Sequence, residues 1–418
     1  MESRELKRII ADQREQYESR LSSGRIVPRE RISCNPQTDL ITVVTGPRRA
    51  GKTTFCLLCV KDKPHAYINF DDERVSLDGR ELNSVAEAFL SLYPHAQAWV
   101  FDEIQNIAGW ERFISRISQN RKVIITGSNS NLLSGELATY LTGRHTDVRV
   151  FPFSFGEYLN YRGHSPDSNL TSSIAKTKSF LERYLIEGGY PLAYKGEPGF
   201  HLSLYSDVLQ KDILSRFRPK RPQALKDLAR LLVSNSGLEV SFNKLRNVLG
   251  LESAHTVKKY ASYLENAFLI FMVKRFSYKL KEQLMAPKKV YCIDSGLVSS
   301  IAPLSSSGKG RLIETLVAVE LLRRSSLEGT GEFCYWKDHS GREVDFVALE
   351  KGKPTQLIQV CHDASNPFTL QRELEALRRG MQELNLKKGT ILTWDEEKEL
   401  KEKYTLITFT PLWKWLLE

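Results

Sequence analysis

Residues 46–54 read GPRRAGKTT. Two glycines separated by four residues and followed by lysine and threonine make the spacing a phosphate-cradling loop needs. Gly46 and Gly51 let backbone N–H groups turn toward a triphosphate, Lys52 sets a point charge against its β- and γ-phosphates, and Thr53 offers a hydroxyl to Mg²⁺. The whole loop, Gly46, Pro47, Arg48, Arg49, Ala50, Gly51, Lys52, Thr53 and Thr54, is therefore expected to contact nucleotide. Further on, AWVFDE (98–103) ends in two adjacent carboxylates. Asp102 is placed to hold Mg²⁺ through water with Thr53, and Glu103 to polarise an attacking water, a pairing that points to hydrolysis. KVIITGSNS adds Ser128 and Asn129 at the end of another apolar run, where a polar side chain could sense the γ-phosphate. Lys52, Asp102 and Glu103 form the expected catalytic set.

A second constellation lies near the C-terminus. The helical run RLIETLVAVELLRR holds Glu314, GREVDFVALE holds Asp345, and TQLIQVC holds Gln359. A helix followed by three strands, with an acid on the second strand and Glu or Gln on the third, resembles the restriction-endonuclease-like core. There Glu314, Asp345, Gln359 and the carbonyl of Val360 would form an oxygen-rich Mg²⁺ site. The lysine that should follow, to orient water and steady the phosphate charge, is Cys361. His362 is the next residue, but on a strand it faces the other way. The expectation is a vestigial site and a degenerate domain that does not cut DNA.

The elements that must carry these groups can be read from patterning. Apolar strand-like runs (LITVVTG, AYINF, AWVFDE, KVIITGS) alternate with helical stretches, the grammar of a parallel sheet. Cys56 and Cys59 fall on the helix after the loop and read as packing residues rather than a metal or redox pair. Residues 155–215 carry apolar positions at helical spacing around the turn Gly188-Gly189-Tyr190-Pro191. SFNKLRNVLG and SAHTVKKYASYLENAF then suggest a helix-turn-helix, and the flanking LIFMVKRFSY and PKKVYCI a wing.

Charge gives that segment a role. The chain's net charge is +10, and residues 216–290 hold sixteen Lys and Arg against five Asp and Glu. A localised excess of this kind is the footprint of a polyanion-binding surface. Lys244, Arg246, His255, Lys258, Lys259, Lys274 and Arg275 are the candidate DNA contacts, gripping phosphates with weak sequence preference. The 418 residues exceed one ordinary core. No run of eighteen apolar residues and no signal-peptide pattern is present, and six scattered cysteines suit a reducing cytoplasm.

The order GPRRAGKTT, YINFDD, VFDEIQNIAGWE, ITGSNSNLLSGELATYLTGR and FPFSFGEYL, with KDILSR, SNSGLEVSFNKL and PKKVYCIDSGL, resembles the AAA+-type ATPases of archaea and bacteria whose C-terminal half was long called a domain of unknown function. The resemblance covers nearly the whole chain. It implies a homo-oligomer, a ring, in which Arg144 of LTGR acts as an arginine finger on a neighbour's γ-phosphate. The expected architecture is multidomain α/β: an N-terminal helix and arm (1–35), a P-loop AAA+ ATPase core (36–155), a helical lid (156–215), a winged helix (216–287) and a restriction-endonuclease-like domain (288–418). The expected activity is ATP hydrolysis with Mg²⁺ that remodels, or moves along, duplex or branched DNA. Two other readings stay open: a nucleotide-controlled switch acting on proteins, and an ATP-gated nuclease.

Overall fold

A computed structural model describes residues 2–23, 26–32, 40–133, 144–302, 308–328, 331–402 and 404–418. The chain divides into two compact units, Met1–Pro152 with Asn266–Phe268, and Phe153–Glu265 with Leu269–Glu418.

The first unit is built on a parallel sheet of β1 (Ile41–Thr45), β2 (His65–Asn69), β3 (Ala98–Asp102), β4 (Lys122–Gly127) and β5 (His145–Arg149), in the order β2-β3-β4-β1-β5. Strands flanked by helices on both faces are predominantly apolar, and β1 and β3 are buried at every position. The four sequence-expected strands are β1 to β4. β5 was not expected, because in HTDVR only Val148 is buried. The helix Ser3–Ser23 buries Leu6, Ile9 and Ile10 in the same core as Ile68 and Phe101. Its Gln13 amide also completes the edge strand: Nε2 donates to the Asn69 carbonyl at 3.1 Å, and Oε1 accepts from the Asn69 N–H at 2.8 Å.

The second unit opens with helices. Phe155–Tyr161 starts at a capping box in which Ser154 and Glu157 satisfy each other's backbone N–H groups. Thr171–Glu187 follows, and the run from Phe200 to Phe217 contains a π-helical stretch, Val208–Leu214. Asp294 ties the turn after Thr171–Glu187 in place: it accepts from Gly189 N at 2.6 Å and caps the helix Ser295–Ile301 through Leu297 N.

Residues 222–292 run helix, strand, helix, helix, strand, short helix, strand. These are Pro222–Ser234, β6 (Leu238–Val240), Phe242–Val248, Ala254–Asn266, β7 (Ile270–Val273), Leu280–Met285 and β8 (Lys288–Cys292). The strands form an antiparallel sheet in the order β6-β8-β7. Ser241 caps the first of the adjacent helices, and Val257, Tyr260 and Leu264 turn the inner face of the second to the core.

The helix Gly308–Glu328 precedes a six-stranded mixed sheet. Its strands are β9 (Gly331–Lys337), β10 (Glu343–Glu350), β11 (Lys353–Cys361), β12 (Lys388–Thr393), β13 (Lys398–Glu402) and β14 (Thr405–Pro411), in the order β13-β14-β12-β11-β10-β9. β9, β10 and β11 meander antiparallel, whereas β12 pairs parallel to β11 after the crossover helix Pro367–Glu383. Leu377 and Met381 of that helix join Val344, Leu357 and Ile391 in the core. Among the described residues, no helix is long and apolar enough to cross a membrane.

Candidate functional site

β1 delivers the loop 46–51 to the N-terminus of the helix Lys52–Val60. Gly46 has φ 149°, and a Cβ there would stand 2.0 Å from the Val150 carbonyl oxygen, so no other residue fits. Gly51, at φ 97°, precedes the first helical residue. Arg49 also takes positive φ, at 63°. A left-handed non-glycine residue costs on the order of 1–2 kcal/mol, strain of the kind held at binding loops. Lys52 is buried, its Nζ 3.2 Å from the Pro47 carbonyl oxygen and 3.2 Å from Glu103 Oε1. Ala50 is buried, Thr54 exposed, and Arg48 pairs with Asp71 at 3.1 Å.

β3 ends at Asp102, which is 1% exposed. Its Oδ2 accepts from Thr53 Oγ1 at 2.7 Å and from the Tyr67 hydroxyl at 3.0 Å, and its Oδ1 from the Thr126 hydroxyl. Burial and the neighbouring Glu103 raise the Asp102 pKa, against the pull of the two threonine hydroxyls. The Thr53 hydroxyl and Asp102 carboxylate are hard oxygen donors in hydrogen-bond contact, the donor chemistry that suits Mg²⁺.

Glu103 turns away from the strand at φ 52°, ψ 44°. That left-handed step aims its carboxylate at Lys52. Gln105 Nε2 donates to its Oε2 at 2.5 Å, and the Ser128 N–H donates to the same oxygen at 3.1 Å. Burial alone would raise the Glu103 pKa. Lys52, Gln105 and Arg48 outweigh it and hold the carboxyl at about 2. In this arrangement Glu103 is the counter-ion of Lys52, so a phosphate that draws the ammonium away also releases the carboxylate.

The structure thus brings Lys52, Thr53, Asp102, Glu103 and Ser128 together. It adds three groups the sequence reading missed. Tyr67 and Thr126 hold Asp102, and Gln105 holds Glu103. Gln105 could have been found, since VFDEIQ puts it two residues past the acid. Tyr67 and Thr126 carry no such signal, because only the pairing of β2, β3 and β4 makes them neighbours of Asp102. Arg144 is exposed just before β5, its carbonyl accepting from Ile41 N at 2.9 Å. The rest of LATYLTGR falls outside the described residues.

In the second unit, Glu314, Asp345 and Gln359 also converge, on the wall of one cavity. The Asp345 N–H donates to Gln359 Oε1 at 3.2 Å, and Gln359 Nε2 donates to Glu373 Oε2 at 2.6 Å. Asp345 Oδ2 accepts from Val360 N at 3.0 Å, and Glu314 Oε1 accepts from the Tyr291 hydroxyl at 2.7 Å. Asp345 and Gln359 are thus tied to each other, and Glu314 to Tyr291. No group of three or more His, Cys, Asp and Glu side chains among the described residues is arranged to hold a metal ion. The expectation that this cluster lacks a lysine is also corrected. Lys289 of β8, 2% exposed, places Nζ 2.8 Å from Glu314, 2.6 Å from Glu343 and 3.2 Å from Asp345. A cavity of about 590 Å³ beside the cluster is lined by Glu314, Asp345 and Gln359, with Arg311, Arg342 and Arg372, but not by Lys289. Cys361 is buried in the apolar core, and burial pushes its thiol up to about 11.

Of the basic candidates, Lys244, His255, Lys258, Lys259 and Lys274 are exposed. Arg246 is half-buried, its guanidinium donating to Asn247 Oδ1. Arg275 departs from expectation: half-buried, it donates through Nη2 to the Lys337 carbonyl at 2.5 Å, which fixes it to β9.

Residues 38–159 match the AAA domain. Residues 178–308 and 309–415 match two domains of unknown function, DUF8612 and DUF4143. Among solved structures, the chain is similar to the Walker-type ATPase PABY2304 of Pyrococcus abyssi, with TM-score 0.42 and 15% identity over 69% of this chain and 93% of that one. It is also similar to the replication initiator DnaA bound to AMPPCP and single-stranded DNA, with TM-score 0.25 and 12% identity over 60% and 86%. An uncharacterized protein of Haemophilus influenzae is 30% identical over 74% of this chain and 80% of its own length. Uncharacterized protein MJ1544 of Methanocaldococcus jannaschii is 31% identical over 401 residues, 90% of this chain and 88% of its own. The chain belongs to the same family as these two relatives, one in which it carries a P-loop AAA domain on a parallel sheet ahead of a longer α/β region.

Proposed function

We propose that the chain is an oligomeric AAA+ ATPase that binds DNA and remodels or moves along it. The observation that carries this reading is the convergence of Lys52, Thr53, Asp102 and Glu103 at the ends of β1 and β3. ATP would lie along the loop 46–54, with Lys52 leaving Glu103 for the β- and γ-phosphates. Glu103, freed of its counter-ion, then polarises water, and Ser128 stands beside it to register the γ-phosphate. Thr53 and Asp102 would hold Mg²⁺, which neutralises phosphate charge when bound. Gln105 keeps Glu103 oriented after Lys52 departs.

Arg144 is assigned as the arginine finger, acting on the nucleotide of a neighbouring subunit. Arg144→Ala is expected to lose most turnover on its own and regain part of it when mixed with inactive Glu103→Gln chains, because each supplies what the other's interface lacks. Exchange of subunits with no rescue at any mixing ratio would place the complete site within one chain.

The DNA reading rests on residues 222–292, read here as a winged helix from their order of helices and strands, and on exposed His255, Lys258 and Lys259 along its second adjacent helix. Replacing Lys258 and Lys259 with Glu is expected to weaken binding on every duplex tested and to reduce the salt slope by about one unit per lost phosphate contact. Unchanged affinity and slope would remove DNA from the account. One observation favours a second reading, a switch acting on proteins. Between β7 and β8, Tyr278, Leu280, Leu284 and Met285 are 74%, 67%, 64% and 79% exposed, an apolar group of the kind that marks protein contacts. The region 288–418 is read as restriction-endonuclease-like and inactive as a nuclease.

A further inference from the structure

Lys289 was counted in the basic excess of residues 216–290, yet its ammonium is in the interior. It projects from β8, in the sheet with β6 and β7, into a space shared with the helix Gly308–Glu328 and with β10. An ammonium has three protons, and here three carboxylates receive them: Glu314, Glu343 and Asp345, at 2.8, 2.6 and 3.2 Å. Tyr291, next on the same face of β8, donates to the Glu314 oxygen that Lys289 also contacts. Lys337 of β9 takes the other oxygen of Glu343 at 3.2 Å and reaches Glu239 of β6 at 3.0 Å.

Two physical points decide what this arrangement does. A charge removed from water persists only when paired and hydrogen-bonded, and Lys289 is fully so. Every proton of the ammonium is spent, and the side chain is absent from the wall of the neighbouring cavity, so it cannot reach a phosphate lying there. Conversely, carboxylates from a helix and a strand directed at one point within about 3 Å would repel each other without a cation between them. We propose that the Lys289 ammonium is a tethered counter-ion standing where a divalent cation would otherwise be held. The acidic cluster is thereby a metal-independent joint between the three-stranded and six-stranded sheets. This inference stands whether or not residues 222–292 bind DNA, because Lys289 is buried and is not among the candidate DNA contacts.

The test uses the full-length, nucleotide-free chain with Mn²⁺ as the probe, counted by electron paramagnetic resonance, and thermal melts in EDTA. Wild type and Asp345→Asn are expected to bind equal numbers of Mn²⁺ ions. Lys289→Met is expected to melt on the order of 10 °C lower in EDTA. It should also bind one additional Mn²⁺ per chain, recover part of the lost melting temperature with it, and lose both gains in Lys289→Met/Asp345→Asn. A wild type that gives up one Mn²⁺ on Asp345→Asn would overturn the inference, since the site would then be a metal centre. A folded Lys289→Met that gains no Mn²⁺ would overturn it as well. Should Lys289→Met fail to fold, the wild type against Asp345→Asn count decides alone.

Discussion

Glu103→Gln is expected to lower steady-state ATP turnover by about 10²–10⁴, the usual worth of a positioned general base, while ATP binds more tightly than to the wild type. The second effect follows from the ion pair. In the nucleotide-free chain Lys52 is held by Glu103, and that contact must be surrendered when phosphate arrives. A glutamine amide has no charge to hold the ammonium, so the lysine is free in advance. The same substitution alters the acid limb of stability. Glu103 has a carboxyl pKa held at about 2, below its ordinary value of 4.5. A depressed carboxyl contributes stability above its unfolded pKa and loses it as pH falls through the folded one. The difference in melting temperature between wild type and Glu103→Gln should therefore be full at neutral pH and shrink from pH 4.5 toward pH 2. Phosphate release at the wild-type rate would remove Glu103 as the base.

Lys52→Ala is expected to weaken ATP binding by at least about 10², since charge-assisted bonds to two phosphates are lost. It should also destabilise the chain without nucleotide. The substitution leaves Glu103 as a buried carboxylate with no ammonium beside it, and breaking such a pair from one side costs on the order of 3–5 kcal/mol. The sign is opposite to that of the intact pair. With Lys52 gone, burial raises the Glu103 pKa, so the loss is largest at neutral pH and smaller in acid, where the carboxyl protonates. Lys52→Ala/Glu103→Gln should regain much of the stability and none of the nucleotide affinity. Isothermal titration and melts on the four chains separate the two effects. Unchanged nucleotide affinity in Lys52→Ala would mean that the loop 46–54 does not hold the triphosphate.

The parts of the fold that could be read in advance are those where local chemistry and final environment agree. LITVV and AWVFD are mostly apolar because their strands are buried along their length, and the GPRRAGKTT spacing announces its own backbone turn. β5 was hidden because HTDVR lies at the sheet edge and buries only Val148. The π-helical stretch Val208–Leu214 was hidden inside an ordinary helical pattern. Lys289 was misread for a different reason. PKKVYC is a strand that begins with two lysines, and a charge count treats both as surface charge. Only the return of the chain through the helix Gly308–Glu328 and β10 makes the second lysine the partner of Glu314 and Asp345. The distance in sequence also explains why a search for lysine after Gln359 found Cys361. The pairing of Lys52 with Glu103 escaped likewise, since adjacency of Asp102 and Glu103 reveals the acids and not the left-handed turn that separates their directions.

The central claim is that nucleotide hydrolysis at Lys52, Asp102 and Glu103 serves work on DNA. Its most direct test is the steady-state ATPase rate of the full chain with Mg²⁺, with and without duplex or branched DNA, at low and at physiological salt. The account predicts that DNA raises the rate, that salt erodes the stimulation, and that Lys258→Glu/Lys259→Glu hydrolyses ATP at the basal rate without responding to DNA. An ATPase rate that DNA leaves unchanged at both salt concentrations would contradict it.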